Sequence, residues 1–414
     1  MFNTFEFDIM NRGQGNHGEL GHHNRMEDEL TPTKVETLAD EIIVDVTCGH
    51  RYTCVVTSTG KIYTWGHVFG KVTVLKPELL QDLSSKGVVS VSANEDHTAC
   101  VTQAGEVCTW GYGCYGKLGH GDERNQETPK RIETLTGVKA ALVSCGVYRT
   151  VVCTEDGHTY TFGFGKFGVL GHGDTKTKTS PALVLALEGK HITQLQCCYT
   201  HTMALTSSGY VFTWGYGLDC QPSHKTISTI PYLVEAIREH NVVQITSDSQ
   251  HCAVLVDPSP SLIRQSQQAS FNNKQHSDVV FMVENQPIYA YVDVLTDNSD
   301  YFSAMFRSKM RESLERVVKV PDCSRAAFLQ VLKYLCLDDF TVNIDNAVEL
   351  WSLADMYQLE GLKYTCIGAF ERGLCENNVL DLREEVKGLS CACYELKILC
   401  HKFIAEKRSK DEVS

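Results

Sequence analysis

A glycine-rich phrase recurs at intervals of about 50 residues through the first three fifths of the chain, and no other feature of the sequence constrains the fold so strongly. Its clearest copies are WGYGCYGKLGHGD at 110–122 and FGFGKFGVLGHGD at 162–174. Decayed copies occupy 13–21, 65–66 and 214–217. A period of this length is typical of arrays of small sheets such as propellers.

A second phrase alternates with the first in strict order and supplies an apolar strand in each unit. Its copies lie at 48–55, 92–101, 144–151, 197–204 and 247–254. The first four copies are followed by a Thr-x-x-Gly turn and then by alternating residues, as in KIYTW at 61–65. Apolar runs on either side of a tight glycine turn predict a β-hairpin.

A small sheet of a few short strands cannot bury both of its faces alone, so neighbouring units must stack. Radial stacking gives a β-propeller, in which the glycines permit turns with positive φ and close packing of neighbouring chains. We expect Trp65, Trp110 and Trp214 to be packing anchors between the blades.

These units resemble the repeats of the regulator of chromosome condensation family. The resemblance covers residues 11–257 and implies a propeller, which in that family has typically about seven blades, whereas this chain has about five units. The chain starts in the second half of a unit (13–46) and leaves the array after the first half of one (247–256). We therefore expect the two ends to share a blade and close the ring. The matching residues are His97 with Thr98, His201 with Thr202, the glycine phrases at 116–119 and 168–171, Pro129 and Pro181.

The glycine repetition stops at a polar linker, residues 258–274, and a second domain is expected at 275–372. The pattern predicts strands at 278–283, 288–291 and 317–320. Helices are predicted at 299–306, 324–336, 346–357 and 359–370, with N-caps near Asp300, Ser324 and Asp345.

This order resembles the BTB/POZ fold, on the segments 277–279, 301–306, 327–328, 331–335 and 348–355. The following stretch, 373–408, resembles the start of a BACK helical extension whose apolar residues have helical spacing. It is too short to be a complete BACK fold, so its helices are expected to pack on the BTB domain. The expected fold class is thus multidomain: an all-β propeller, an α+β BTB/POZ domain and a short helical tail.

Composition limits the partners and the compartment. A chain of 414 residues with a formal net charge of −13 lacks the basic face that general nucleic-acid binding requires. No apolar run is long enough to span a bilayer, and the first ten residues do not resemble a signal peptide. We therefore expect no membrane partner, a location in the cytoplasm, the nucleus or both, and mostly buried, reduced thiols among the 18 cysteines.

The candidate chemical sites have structural explanations. Cys391, Cys393, Cys400 and His401 do not have the spacing of a structural zinc site. The glycines at 111, 113 and 116 match a dinucleotide fingerprint by letter but recur in register with the repeat, so they are expected to form turns. His97, His201 and His251 fall where the repeat places packing or inter-blade hydrogen-bonding groups. No catalytic residue, cofactor or metal is expected.

The segment 306–313 is the strongest candidate binding site. In BTB proteins that act as ubiquitin-ligase adaptors, a hydrophobic residue and an acid separated by one position, after the second helix, contact the cullin scaffold. Met310 and Glu312 fall in that place. An exposed apolar anchor beside an orienting charge would suit such a contact, although a solvated loop would carry the same residue types.

The two resemblances together imply a non-enzymatic adaptor of a cullin-type ubiquitin ligase. The BTB domain would dimerise and bind the cullin, and the propeller would recruit a protein substrate. Two alternatives stay open. One is a guanine-nucleotide exchange factor for a small GTPase, as the founding member of the repeat family is; the other is a dimeric scaffold without ligase activity.

Overall fold

A computed structural model of the chain describes residues 9–22, 26–70, 73–216, 227–248, 251–259, 268–275, 277–307, 315–337, 340–375, 377–388, 396–401 and 403–404. Four complete blades follow one another, each a four-stranded antiparallel sheet with its strands in chain order. Blade 1 holds β3 (Ile43–Cys48), β4 (Tyr52–Thr57), β5 (Ile62–Gly66) and β6 (Val74–Leu79); blade 2 holds β7 (Val88–Asn94), β8 (His97–Thr102), β9 (Val107–Gly111) and β10 (Gln126–Arg131); blade 3 holds β11 (Ala140–Cys145), β12 (Arg149–Thr154), β13 (Thr159–Gly163) and β14 (Lys178–Leu183); blade 4 holds β15 (Ile192–Cys197), β16 (His201–Thr206), β17 (Val211–Gly215) and β18 (Ser228–Leu233).

The second strand of every complete blade is buried along its whole length. Such a strand faces a neighbouring sheet on both sides, which explains its continuous runs of apolar residues and threonine. The apolar cores lie between blades: one cluster joins blades 1 and 2, another blades 2 and 3, and a third blades 3 and 4. Stacking of neighbours therefore buries the faces that a single sheet would leave exposed, as the repeat predicts.

The two ends of the array form separate two-stranded sheets. β1 (Met10–Gly13) pairs with β2 (Glu29–Lys34), and β19 (Asn241–Ser247) pairs with β20 (Cys252–Asp257). β20 alternates between exposed and half-buried positions, with Leu255 58% exposed, whereas the corresponding strands of complete blades are fully buried. The expected shared blade is thus not confirmed, and closure of the ring stays a prediction.

The cysteines are mostly part of the apolar cores. All 15 that lie within the described ranges are free thiols, and nine of them are buried. Burial raises the pKa of Cys54, Cys145 and Cys153 to about 12, so these thiols are protonated near neutral pH. The expected burial is confirmed for this majority, and their reduced state stays an expectation.

The second domain combines a three-stranded sheet with helices. β21 (Val279–Val283) lies in the centre, antiparallel to β22 (Gln286–Ala290) and parallel to β23 (Val317–Val320). The helices are α1 (Val292–Asp297), α2 (Asp300–Arg307), α3 (Arg325–Cys336), α4 (Ile344–Met356), α5 (Glu360–Gly373) and α6 (Val379–Gly388). None of the described helices is both long and apolar enough to cross a membrane.

The structure has N-terminal capping side chains at, or within two residues of, all three expected positions. Ser324 caps α3, and its side chain accepts a hydrogen bond from the Ala327 amide at 3.1 Å. For α4 the cap is Asn343, which lies two residues before Asp345 and forms a reciprocal capping box, and Asp345 lies in the first turn. For α2, the Ser299 hydroxyl accepts a hydrogen bond from the Phe302 amide, while Asp300 is the first helical residue.

A single apolar core holds the second domain together, and it includes Phe281, Phe302, Phe328 and Trp351. The helical tail contributes to the same core through Val379, Leu382, Val386, Leu396 and Cys400, all of them buried. The tail therefore packs on the domain that precedes it in the chain.

The propeller and the second domain are packed directly against each other. α5 lies on blade 4, where it contacts β18 and the three-residue 3₁₀ turn Leu185–Leu187. The approach is close, because a Cβ on Gly361 would lie 2.3 Å from both the Leu185 carbonyl oxygen and the Tyr334 hydroxyl. Lys190 of the propeller is 1% exposed, and its Nζ lies 5.2 Å from the Tyr334 ring centroid and 5.0 Å from that of Phe340.

Replacing Lys190 with methionine is expected to loosen this contact. The change keeps most of the apolar stem but removes a desolvated cation from two aromatic rings, an interaction of about 2 kcal/mol. Hydrogen exchange should become faster in Leu185–Leu187 and α5. The partly exposed Lys86→Met change is the matched control, because it removes only a surface contact with Glu106. Unchanged exchange in Lys190→Met would show that the cation does not hold the domains together.

Candidate protein-interaction site on the propeller

The glycine phrase fastens each blade to the next. Gly119 and Gly171 have φ of +78° and +81°, and a Cβ on them would lie 2.7 Å from the Phe162 ring and 3.1 Å from Trp214 Nε1 of the following blade. Gly21 meets Trp65 in the same way, at 2.7 Å. These glycines give the aromatic anchors room to pack, which is the turn role expected from the sequence.

Three tryptophans serve as the expected packing anchors. Trp65, Trp110 and Trp214 are at most 3% exposed. The indole N–H of Trp65 donates to the Glu19 carbonyl at 2.8 Å, and that of Trp214 donates to the Val169 carbonyl at 2.8 Å. Both carbonyls belong to the glycine phrase of the preceding unit, so each anchor also satisfies a backbone acceptor.

A polar ladder also joins the blades at the first residue of each second strand. The side chain there reaches across to the neighbouring unit, whichever residue type the blade carries. The contacts are Tyr52 hydroxyl to Thr98 Oγ1 at 2.8 Å, His97 Nε2 to Thr150 Oγ1 at 3.0 Å, Arg149 Nε to Thr202 Oγ1 at 3.1 Å, and His201 Nε2 to Ser247 Oγ at 2.6 Å. His97 and His201 thus have the expected inter-blade role. His251 does not, because its side chain is 84% exposed.

The pair Ser247 and His201 has the spacing of a nucleophile and its general base. Its position is nevertheless that of the ladder, in which a tyrosine or an arginine makes the equivalent contact. Burial, aided by the nearby Arg149 charge, lowers the pKa of His201 to about 4. The pair is accordingly a structural contact, and we assign it no catalytic role.

A cavity of about 580 Å³ opens between blades 1 and 2. At the other blade boundaries, a backbone carbonyl of the glycine phrase accepts a hydrogen bond from a threonine of the next blade. The pairs are Glu19 with Thr53, Lys117 with Thr150, and Val169 with Thr202. The glycine phrase of blade 1 is decayed, at 65–66. The threonine of blade 2 in the equivalent position is Thr98, and it lines the cavity. Its lining includes Arg51, His67, Phe69, Asp96, Thr98 and Tyr112.

An aromatic cluster lies on the same end of the blades. It consists of Tyr115, Tyr148, Phe164 and Tyr199, which come from blades 2, 3 and 4. Ring centroids are 4.6 Å apart for Tyr115 and Phe164, 5.4 Å for Tyr115 and Tyr148, and 6.2 Å for Tyr148 and Tyr199. Tyr115 and Tyr199 are 40% and 51% exposed. Exposed, contiguous aromatic side chains of this kind are typical of protein-binding surfaces.

One member of the cluster, Tyr115, has a strained backbone. Across the described part of the propeller, the non-glycine residues with positive φ are Glu95 (+47°), Tyr115 (+61°) and Phe167 (+66°). Tyr115 and Phe167 occupy the same position in successive copies of the glycine phrase. A bulky residue in the left-handed region is unusual, and such strain is often found at functional sites.

Two buried cations lie beneath the cluster. Lys117 and Arg149 are each 2% exposed. Lys117 Nζ lies 5.7 Å from the Tyr148 ring centroid and 3.4 Å from the Val147 carbonyl oxygen. Arg149 donates to the carbonyl oxygens of Tyr199, at 3.2 Å, and His201. Within the described ranges, neither cation has a carboxylate within salt-bridge distance.

The repeat pattern alone does not predict this cluster or its cations. The glycine phrase does contain a signal for two members, Phe164 and Tyr115. Phe164 follows Phe-Gly as Tyr112 follows Trp-Gly, and Tyr115 lies inside the phrase. Tyr148 and Tyr199 have no such signal. Their proximity depends on how the blades stack.

The structure describes only some of the other candidate residues from the sequence. Met310 and Glu312 lie outside the described residues, as do Cys391 and Cys393. Cys400 is buried, and His401 is exposed. The described part of the chain contains no group of three His, Cys, Asp or Glu side chains that could hold a metal ion.

Comparisons with known proteins agree with this division. The family profile of the RCC1-like domain matches residues 8–254, and that of the BTB/POZ domain matches residues 267–373. The human E3 ubiquitin-protein ligase HERC2 is 30% identical over 258 residues, which are 61% of this chain and 4% of that protein. The ultraviolet-B receptor UVR8 of Arabidopsis thaliana is 31% identical over 259 residues, 60% of this chain and 59% of the receptor. The chain thus spans less than two thirds of either relative.

Two solved structures share the propeller fold. The crystal structure of human WBSCR16 superimposes with a TM-score of 0.54 at 21% identity and covers 61% of this chain and 68% of that one. Yeast RCC1 (Prp20), in its crystal structure with Kap60, gives a TM-score of 0.51 at 19% identity over 60% and 62%. Repeat sequence, blade topology and both family profiles agree: this chain belongs to the family of proteins that join an RCC1-like domain to a BTB/POZ domain.

Proposed function

We propose that this protein is a non-enzymatic adaptor that recruits a protein substrate to a cullin-type ubiquitin ligase. One observation carries the proposal: an RCC1-like propeller with an exposed aromatic cluster is packed against a BTB/POZ domain in one chain. The relative HERC2 is itself named an E3 ubiquitin-protein ligase. In the proposed assembly the propeller binds the substrate, and the BTB/POZ domain joins two copies and binds the cullin.

The direct packing of the two domains supports an adaptor role. A rigid connection between substrate and ligase fixes the distance over which ubiquitin is transferred, and α5 against blade 4 provides such a connection. The proposed working compartment is the cytoplasm, the nucleus or both, which suits an acidic chain.

Exchanging Met310 for aspartate and Glu312 for lysine is expected to reduce cullin capture by about tenfold or more. The change removes the apolar anchor and reverses the orienting charge of the proposed contact. Capture of endogenous cullins on the immobilised full chain, followed by immunoblotting, measures the effect. Dimerisation of the variant, checked by analytical ultracentrifugation, should be unchanged.

Met356→Asp is the matched control, because this methionine is 54% exposed on α4 of the same domain. It should capture cullin as the parent chain does. Cullin capture that survives in the double variant would contradict the assignment of Met310 and Glu312. If the parent chain captures no cullin, the ligase proposal falls and a dimeric scaffold takes its place.

A guanine-nucleotide exchange activity is a separate outcome. The likeness to yeast RCC1 is at 19% identity and concerns the fold alone. Release of a fluorescent nucleotide from a small GTPase would measure it directly, and we expect no acceleration.

A further inference from the structure

We propose that the aromatic cluster and the neighbouring cavity form one docking face for an acidic segment of the partner protein that carries an aromatic or aliphatic anchor. The proposal names the chemistry of the partner, and it rests on the proposed function only in taking the propeller as the recruiting part. Tyr112 and Asp96 line the cavity. Tyr112 shares its loop with Tyr115 of the cluster. Burial raises the pKa of Tyr148, and Glu95, the neighbour of Asp96 in the chain, is a minor further cause. The cavity and the cluster therefore adjoin.

Charge indicates an acidic partner. Three cations belong to this face: Arg51 in the cavity, and Lys117 and Arg149 beneath the cluster. Three carboxylates also lie at the face. Glu95 and Asp96 are at the boundary between cavity and cluster, with Glu95 4.0 Å from His50 Nδ1, and the Glu127 side chain packs beside Gly70 of the cavity wall. The two cations beneath the cluster are almost completely buried, so solvent screens their field less than that of the exposed carboxylates.

The charge of this face differs from that of the chain as a whole. The chain has a formal net charge of −13, yet at this face the cations equal the carboxylates in number, three of each, and two of the cations are almost completely buried. An acidic segment is repelled by most of such a surface and attracted at this face, which gives specificity. A basic segment, in contrast, would bind at many places on an acidic protein.

Shape indicates an anchor side chain. The cavity of about 580 Å³ has Phe69 and Tyr112 in its wall, with ring centroids 4.4 Å apart. A cavity of this size and lining accepts an aromatic or large aliphatic side chain. The exposed tyrosines next to it can then contact the neighbouring residues of the segment through both rings and hydroxyls.

Selection from a phage-displayed library of random peptides of about 12 residues tests the proposal. The full chain is the target, and the Tyr148→Ser, Tyr199→Ser double variant removes peptides that bind elsewhere. We expect the retained peptides to be rich in Asp and Glu around one aromatic or aliphatic residue. Enrichment of Lys and Arg, or peptides that bind both targets equally, would overturn the proposal.

A labelled consensus peptide then gives affinities by fluorescence anisotropy. The double variant should bind it about tenfold or more weakly, and binding should weaken between about 50 and about 500 mM salt. Val89→Ser, at a valine 53% exposed on β7, is the matched control and should bind as the parent does. Equal affinity of the parent and the double variant would refute the docking face.

Tyr115→Asn separates binding from stability. Asparagine tolerates the left-handed backbone that tyrosine adopts here at φ +61°, so the melting temperature should stay level or rise while the peptide binds more weakly. A lower melting temperature with unchanged affinity would mean that the ring is only structural. Because this assay contains no cullin, peptide binding without cullin capture would sink the proposed function and leave the docking face intact.

Discussion

Acidification from about pH 7 to about pH 5 is expected to lower the free energy of unfolding of this protein by about 4 to 6 kcal/mol. Three propeller histidines with strongly lowered pKa values supply this loss, and His120, whose pKa is also lowered by burial, acts in the same direction. Burial lowers the pKa of His97 to about 3 and that of His172 and of His201 to about 4. The cations Lys117, Lys178 and Arg149, respectively, add to the effect because each repels a second positive charge nearby.

The sign follows from proton binding. Between pH 6.5 and about 4, these histidines are protonated in the unfolded chain but neutral in the folded one, so the unfolded chain binds more protons. Stability is therefore fully present above pH 6.5 and falls as the pH falls. Each histidine contributes about 2 kcal/mol to the loss by pH 5. The carboxylates with lowered pKa, such as Glu106, lose their contribution only below their ordinary value of 4.5.

Guanidinium unfolding followed by tryptophan fluorescence measures this dependence at several pH values. His201→Gln keeps a polar side chain opposite Ser247 and cannot titrate, so its stability should fall by about 2 kcal/mol less over the same range. His251→Gln is the matched control, because His251 is exposed and outside the ladder. A His201→Gln variant as acid-sensitive as the parent would show that this histidine is not the cause.

Replacing Gly163 with alanine is expected to cost about 4 kcal/mol or more, enough to unfold much of the propeller. The backbone at this glycine has φ +113°, which side chains rarely adopt. The new Cβ would also lie 2.3 Å from the Tyr148 carbonyl oxygen and 2.6 Å from the Arg149 Cα. Both are backbone atoms of the paired strand or its turn, so relief requires the strands to move apart.

Gly137→Ala separates the two causes of that loss. Gly137 has φ +87° but nothing within 4 Å of the position of its Cβ, so this change introduces strain without a clash and should cost about 1 to 2 kcal/mol. Thermal unfolding of both variants measures the difference. Equal losses would show that close packing of β12 and β13 contributes nothing to the intolerance of Gly163.

The repeat made most of the propeller predictable. Each copy of the two phrases specifies one hairpin, and the Thr-x-x-Gly turns close it as expected, with the Gly60 amide donating to the Thr57 carbonyl at 2.8 Å. The helix starts in the second domain were predictable to within two residues. Several polar residues compete for each N-cap, and Asn343 was preferred over Asp345 because it forms a reciprocal pair with Asn346.

The sequence by itself determined the repeat, the hairpin in each unit and the role of the glycines, because these depend on patterns within about 50 residues. Only the tertiary structure decided what lies between blades and between domains. Lys190 meets Tyr334 and Phe340 across more than a third of the chain, and Tyr115, Tyr148 and Tyr199 meet from three blades. Such contacts depend on how the sheets stack, and no local periodicity of the sequence predicts them.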